Sequence, residues 1–311
     1  MKQATDTRQQ RRSMDQHWVD RAYLEVWCDP VCPDGWEPFV WVFDIATREG
    51  KRRAPKNIFK ESHMYTMPEG SKGDPLTLEK GLQKLCDEFL RVRKEKVLPR
   101  QKLDGQDLAW LCIFAAAKFF RTPKNRAHTL ATWGRMAELV EDLAMGNGGD
   151  PNREIPVTMK GMEGKEMTTS LRRLREIEAY PMQSMLMPAV LAMSERLARL
   201  PALILHNDSV PGFVTSDAPV ALFNPSARMP GLGHSDTEVT LPLSPQHMAI
   251  WSNQFTPERN GFYVDVDMEM VDLMNRRTIY FCDSQFVAQQ GVSRAEWFRA
   301  EAVQGSERAD G

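Results

Sequence analysis

Apolar residues recur at Leu78, Leu82, Leu85, Phe89 and Val92, that is at i, i+4, i+7, i+11 and i+14, which predicts an amphipathic helix over Pro75–Arg93. A second helix opens after Asp104-Gly105, carries Leu108, Leu111, Phe114, Ala115, Lys118 and Phe119, and is ended by Arg121-Thr122-Pro123. It is apolar on nearly every side, so it is expected at the centre of the fold, packed against the first. Further helices are expected over Ala127–Ala144 and, interrupted at Pro181 and Pro188, over Thr168–Leu200. Between them the Gly/Asp/Asn-rich stretch Gly146–Arg153 is the best internal boundary.

The pattern changes toward both ends of the chain. Phe39–Ala46 is rich in aromatic and β-branched residues, Thr47–Gly50 supplies a turn, and the basic run Lys51–Ala54 returns, which predicts a hairpin. After Pro201, short strands are expected at Ala202–His206, Gly212–Thr215, Glu238–Leu243 and His247–Trp251, then a helix over Asp267–Tyr280 and a last strand at Gln285–Gln289. The fold class read from this order is α+β: a mostly helical N-terminal two-thirds with a β-hairpin, followed by a short-stranded sheet region and a closing helix. A single domain over 17–303 is expected, with loosely ordered polar tails at 1–16 and 304–311.

Composition narrows the function classes. Of 311 residues, 42% are hydrophobic and 26% charged, with a formal net charge of −2, so a polyanion would have to be met by a local patch rather than by the whole surface. Five scattered cysteines (Cys28, Cys32, Cys86, Cys112, Cys282) and a polar N-terminus fit reduced thiols in a cytoplasmic protein. The most apolar span, Met182–Met193, is far short of the roughly 20 residues a membrane helix needs.

Phe213–Val220 is the most suggestive local feature: an apolar strand ends in Ser216-Asp217 and Pro219 turns the chain away, a junction of the kind at which scaffolds present chemistry. Around it we group His17, Glu79, Arg121 and Asp217 as candidate catalytic residues, and Arg126, Ser216, Ser244 and Asn275 as candidate substrate contacts. A histidine, two carboxylates and a guanidinium are the parts of acid/base chemistry on a phosphoryl or acyl group. Asp217 and Glu79 would bind a divalent metal, the candidate cofactor, or act as base; Arg121 would clamp an oxyanion. Each has a plainer alternative: Arg121 as a buried structural guanidinium paired with Glu79 or Asp217, Asp217 as the cap of its own turn, and His17 as a packing residue.

Arg121 and His128 have the spacing of a HEPN ribonuclease signature, but Pro123 interrupts the helix that signature requires. Asp265-Val266-Asp267 with Glu269 lacks the glycine of a calcium loop. The basic run Arg48, Lys51, Arg52, Arg53 and Lys56, with Trp36, Phe39 and Trp41 nearby, is a candidate nucleic-acid contact, against the plainer reading of a solvated strand face.

Several short motifs resemble, in order along the chain, the bacterial family called domain of unknown function 4238. They are His17-Trp18-Val19 with Tyr23-Leu24, Pro55-Lys56-Asn57-Ile58 with Tyr65, Leu78-Glu79-Lys80, Phe119–Pro123 with Arg126, Thr215–Val220, Leu241–Pro245, and Asn275. Asp20 stands where that family usually has proline, and Cys86 where it has a second acidic residue. The resemblance implies an intracellular microbial protein and carries no activity, substrate or cofactor. Two functions are therefore expected in competition: a hydrolase acting on a phosphate-containing substrate or nucleic acid, and a non-catalytic binding module in which Glu79, Arg121 and Asp217 form a structural network.

Overall fold

The structure is a computed structural model that describes residues 15–67, 74–145, 150–157, 167–224 and 231–298. The two amphipathic segments are helices α2 (Thr77–Val92) and α3 (Gly105–Phe120), after a single turn α1 (Arg21–Leu24). They pack face to face through Phe89 and Phe114, whose rings stack at 3.7 Å. Asp104 caps α3 in a capping box with Asp107, which explains its abrupt start.

Proline acts in two ways at three helix positions. Pro123 begins α4 (Pro123–Met145) rather than only ending α3, and Pro181 begins α6 (Pro181–Leu197); at a first helical position the missing N–H would have no partner in any case. Pro188 lies inside α6 without ending it. Thr168, expected at the start of a helix, is in a strand (Met167–Thr169) paired with Ile155–Val157, and α5 (Leu171–Ala179) follows its Ser170 cap.

The expected division into a helical N-terminal two-thirds and a later sheet is wrong, although the α+β class stands. Strands β1 (Asp15–His17), β2 (Val40–Asp44), β3 (Gly50–Arg53) and β4 (Lys60–Ser62) all precede the first long helix. The hairpin β2–β3 is also not an N-terminal unit. Its β2 pairs with Gln285–Ala288, which in turn pairs with Thr215–Ser216 to complete a four-stranded sheet. A pattern of local periodicity carries no information about such a partner, about 240 residues away in sequence.

The remaining strands form a five-stranded sheet in the order Phe262–Asp265, Ala202–His206, His247–Ser252, Glu238–Ser244, Ala221–Phe223. Helix α7 (Met268–Phe281) packs against strands of both sheets, Thr215–Ser216 and Gln285–Ala288 in one and Ala221–Phe223 in the other. Tyr23 ties the start of the chain to them: it is fully buried and its hydroxyl donates to the Pro242 carbonyl at 2.7 Å. Asp15 and Gln16, expected in the tail, pair with Ser62 and Glu61, and Gln16 is buried; the rest of both expected tails, and 146–149 of the expected boundary, lie outside the described residues. Among the described residues no helix is long and apolar enough to cross a membrane.

Candidate functional site

Lys118 sits in the last turn of α3, whose neighbours are almost all apolar, and its side chain is completely buried. An ammonium there requires a carboxylate. Asp20, just before α1, supplies it and also meets the Arg121 guanidinium at 3.0 Å. The Arg121 Nε donates to the Tyr65 hydroxyl at 2.9 Å, and its other terminal nitrogen donates to the His17 carbonyl. Burial raises the Asp20 carboxyl, but Arg121 and Lys118 outweigh it and hold the pKa down to about 2. Burial lowers Lys118 to about 8, with Asp20 opposing. For Arg121 burial also lowers, and Asp20 and Tyr65 reverse the direction and keep it charged.

Asp20 and Arg121, but not Lys118, line a polar cavity of about 310 Å³ between β1, α1 and α2. His17, Glu79 and Arg121, three of the four expected catalytic residues, line it together with Asp20, Gln16 and Tyr65. Their bonds are mutual. Gln16 donates to Glu79 at 2.8 Å and accepts from the Tyr65 amide at 2.5 Å. Burial pushes the His17 imidazole down toward its neutral form, and its Nε2 is buried without a hydrogen-bond partner. The carboxylate of Arg121 is thus Asp20, not Glu79 or Asp217 as expected. Asp20 was noted in the sequence only as a departure from proline, and Lys118 only as a member of an apolar helix. A lysine flanked by Phe114, Ala117 and Phe119 was the readable signal that a buried acid must lie nearby.

Asp217 does not line the polar cavity. It is 3% exposed and accepts four hydrogen bonds: from the amides of Asp283, Ser284 and Gln285 at 2.8, 2.8 and 2.9 Å, and from the Ser284 hydroxyl at 2.9 Å. Burial raises its pKa against the pull of these donors. Ser216 is sealed and accepts from the Ala218 amide. Asn275 is equally sealed, bridging the Val214 amide at 2.9 Å and the Gly212 carbonyl at 3.0 Å. The Ser244 hydroxyl lies 3.0 Å from His247 Nδ1 inside the five-stranded sheet, and Arg126 pairs with Glu61 at 2.7 Å.

Beyond Lys118, on the side of Ala218 and Asp283, lies a second cavity of about 450 Å³. Phe119, Ala218, Val220, Leu222 and Phe281 give it apolar walls; Lys124, Asn125 and His128 stand on the first turns of α4. Asp217 shapes this cavity indirectly, since the loop it clamps carries Asp283, one of the lining residues.

The basic run is on the exposed edge strand β3 and its flanks. Arg52 lies over Trp41, Phe39 and Trp36 at 4.9, 5.0 and 5.7 Å from the ring centres. Lys51 pairs with Glu49 and Lys56 with Glu37, while Arg48 lies over Phe298. Among the described residues no three His, Cys, Asp or Glu side chains are arranged to hold a metal ion, and Glu79 and Asp217 do not meet.

Comparison with known proteins gives one match: the family described as a protein of unknown function, DUF4238, aligns with residues 15–291. No curated protein and no solved structure matches the chain.

Proposed function

The chain belongs to DUF4238, a family that brings no reaction with it, and we propose from its own geometry that it binds a compact, largely apolar small molecule without transforming it. One observation carries this reading. Arg121 and Asp20 are occupied by one another and Asp217 by the amides of its loop, whereas the 450 Å³ cavity beside them sets walls of Phe119, Ala218, Val220, Leu222 and Phe281 among polar side chains, the usual make-up of a small-molecule site. Arg121 has its Nε and both terminal nitrogens engaged, so clamping a phosphate would require breaking the Asp20 pair in a buried setting. Asp217, with four donors on its carboxylate, is a wall-builder in this proposal rather than a base.

The test uses the neutral fluorophore N-phenyl-1-naphthylamine. It is expected to bind saturably at one site, and Ala218→Phe, which fills the cavity, should weaken it by roughly tenfold while the melting temperature changes little. Unsaturable binding, or an unchanged affinity in Ala218→Phe, would reject the proposal. Turnover of a phosphomonoester or phosphodiester that disappears in Glu79→Gln would restore the hydrolase reading instead.

A cytoplasmic setting belongs to the same proposal, supported by five cysteines that are all free thiols, three of them buried. Thiol titration of the denatured, unreduced protein should find all five.

A further inference from the structure

Lys118 and Arg121 are both buried, with side chains 0% and 3% exposed, and Asp20 is the one carboxylate in ion-pair contact with either among the described residues. Two cations therefore share one anion, leaving this triad with one positive charge in excess. Lys118 carries three N–H donors, of which Asp20 takes one. Its ammonium faces the Phe114 ring at 4.9 Å, a contact that eases the charge without cancelling it. The same lysine lines the apolar cavity. Lys124 lines it too, 3.7 Å from Asp283, the only carboxylate among the lining residues. In such surroundings a charge acts over several ångströms with little screening.

Resting on the binding reading above, we infer that the ligand of this cavity is an amphiphilic anion: an apolar body against Phe119, Val220, Leu222 and Phe281, carrying one carboxylate that answers the surplus charge of Lys118. A neutral ligand of the same shape would fill the walls but leave that charge unanswered.

Proton balance offers an independent reading. With Lys118 lowered to about 8, an anion placed beside it restores the charged form, so binding near pH 8 takes up protons, at most about half of one per ligand. Of the groups packed around Lys118, Asp20 lies at about 2, Cys86 at about 12, and Tyr23 and Arg121 are raised; Lys124, His128 and Asp283 face the same cavity, so the uptake belongs to Lys118 only if it is lost in Lys118→Met.

The experiment is isothermal titration at pH 8 with 1-naphthoate and with 1-naphthamide, its neutral isostere, on the wild type and on Lys118→Met. The acid should bind the wild type roughly tenfold more tightly than the amide, and this ratio of affinities should shrink to within about threefold in Lys118→Met. Repeating the acid titration in two buffers of different ionisation enthalpy should show proton uptake that the amide lacks, a readout independent of the variant's stability. Equal affinity for acid and amide on the wild type would overturn the inference, as would a preference that survives intact in Lys118→Met. If the neutral fluorophore binds and neither naphthalene does, the inference fails while the binding reading stands. If nothing binds, both fall.

Discussion

Two cavities flank the same buried charges and use them in opposite ways. In the polar one, Asp20, Gln16, Tyr65, Glu79 and Arg121 bond to each other, so a cluster with the composition of an active site is closed upon itself except at the His17 Nε2. The apolar one is lined by Lys118 and Lys124 together with Phe119, Val220 and Leu222, with Asp283 as the only acid among its described lining residues. Residue type therefore does not identify the site. What matters is which charges are already answered: Arg121 has all three nitrogens engaged, whereas Lys118 has to share Asp20 with it and Lys124 stands exposed beside the apolar cavity.

The largest expected effect comes from removing the shared anion. Asp20→Asn leaves two buried cations without a carboxylate and should cost about 3–5 kcal/mol in urea denaturation. A loss below about 1 kcal/mol would mean that the triad is not holding the polar side closed. The wild type should show the same dependence with pH. Because the folded pKa of Asp20 is depressed to about 2, its contribution is complete above about 3.8 and is lost as pH falls through 2, an effect of about 2 kcal/mol.

Asp217→Asn comes next. It keeps the volume but weakens a carboxylate that accepts four bonds, and about 1–3 kcal/mol should be lost. Fluorophore affinity should fall with it, since the loop that Asp217 holds carries Asp283 into the lining of the apolar cavity. A stable variant with altered hydrolytic turnover would reverse the assignment of this residue.

Lys118→Met should differ in sign from the changes above. It leaves Asp20 and Arg121 as a one-to-one pair and should be neutral or stabilising by about 1–2 kcal/mol at pH 7. The folded pKa of Lys118, about 8, lies below its ordinary value, so the unfolded chain binds more protons between about 8 and 10.5. Stability contributed by this group therefore rises with pH across that window, and the rise should be missing from the variant.

The smallest effect belongs to the edge strand. Arg53→Ser on the exposed edge strand β3 should move stability by less than about 0.5 kcal/mol. The nucleic-acid contact proposed for this strand requires that the same change weaken binding of a single-stranded oligonucleotide and flatten its salt dependence; an unchanged salt slope would leave the strand as a charged sheet edge.

The sequence by itself determined the elements whose cause is local. The stripe from Leu78 to Val92, the cap at Asp104 and the strands at 202–206 and 247–251 follow from periodicity and capping, which neighbouring residues decide. It also singled out His17, Glu79 and Arg121, which the fold does gather around one cavity. Only the tertiary structure decided which partners they have. Asp20 meets Lys118 and Arg121 across about 100 residues of chain, the hairpin finds its neighbour at 285–288, and Asp217 spends its carboxylate on a loop 66 residues away. Charge pairing and strand pairing depend on distance in space, and desolvation turns that distance into energy. A string of residues carries the propensities and the charges, but the question of which charge is answered and which is left over exists only once the chain has closed around it.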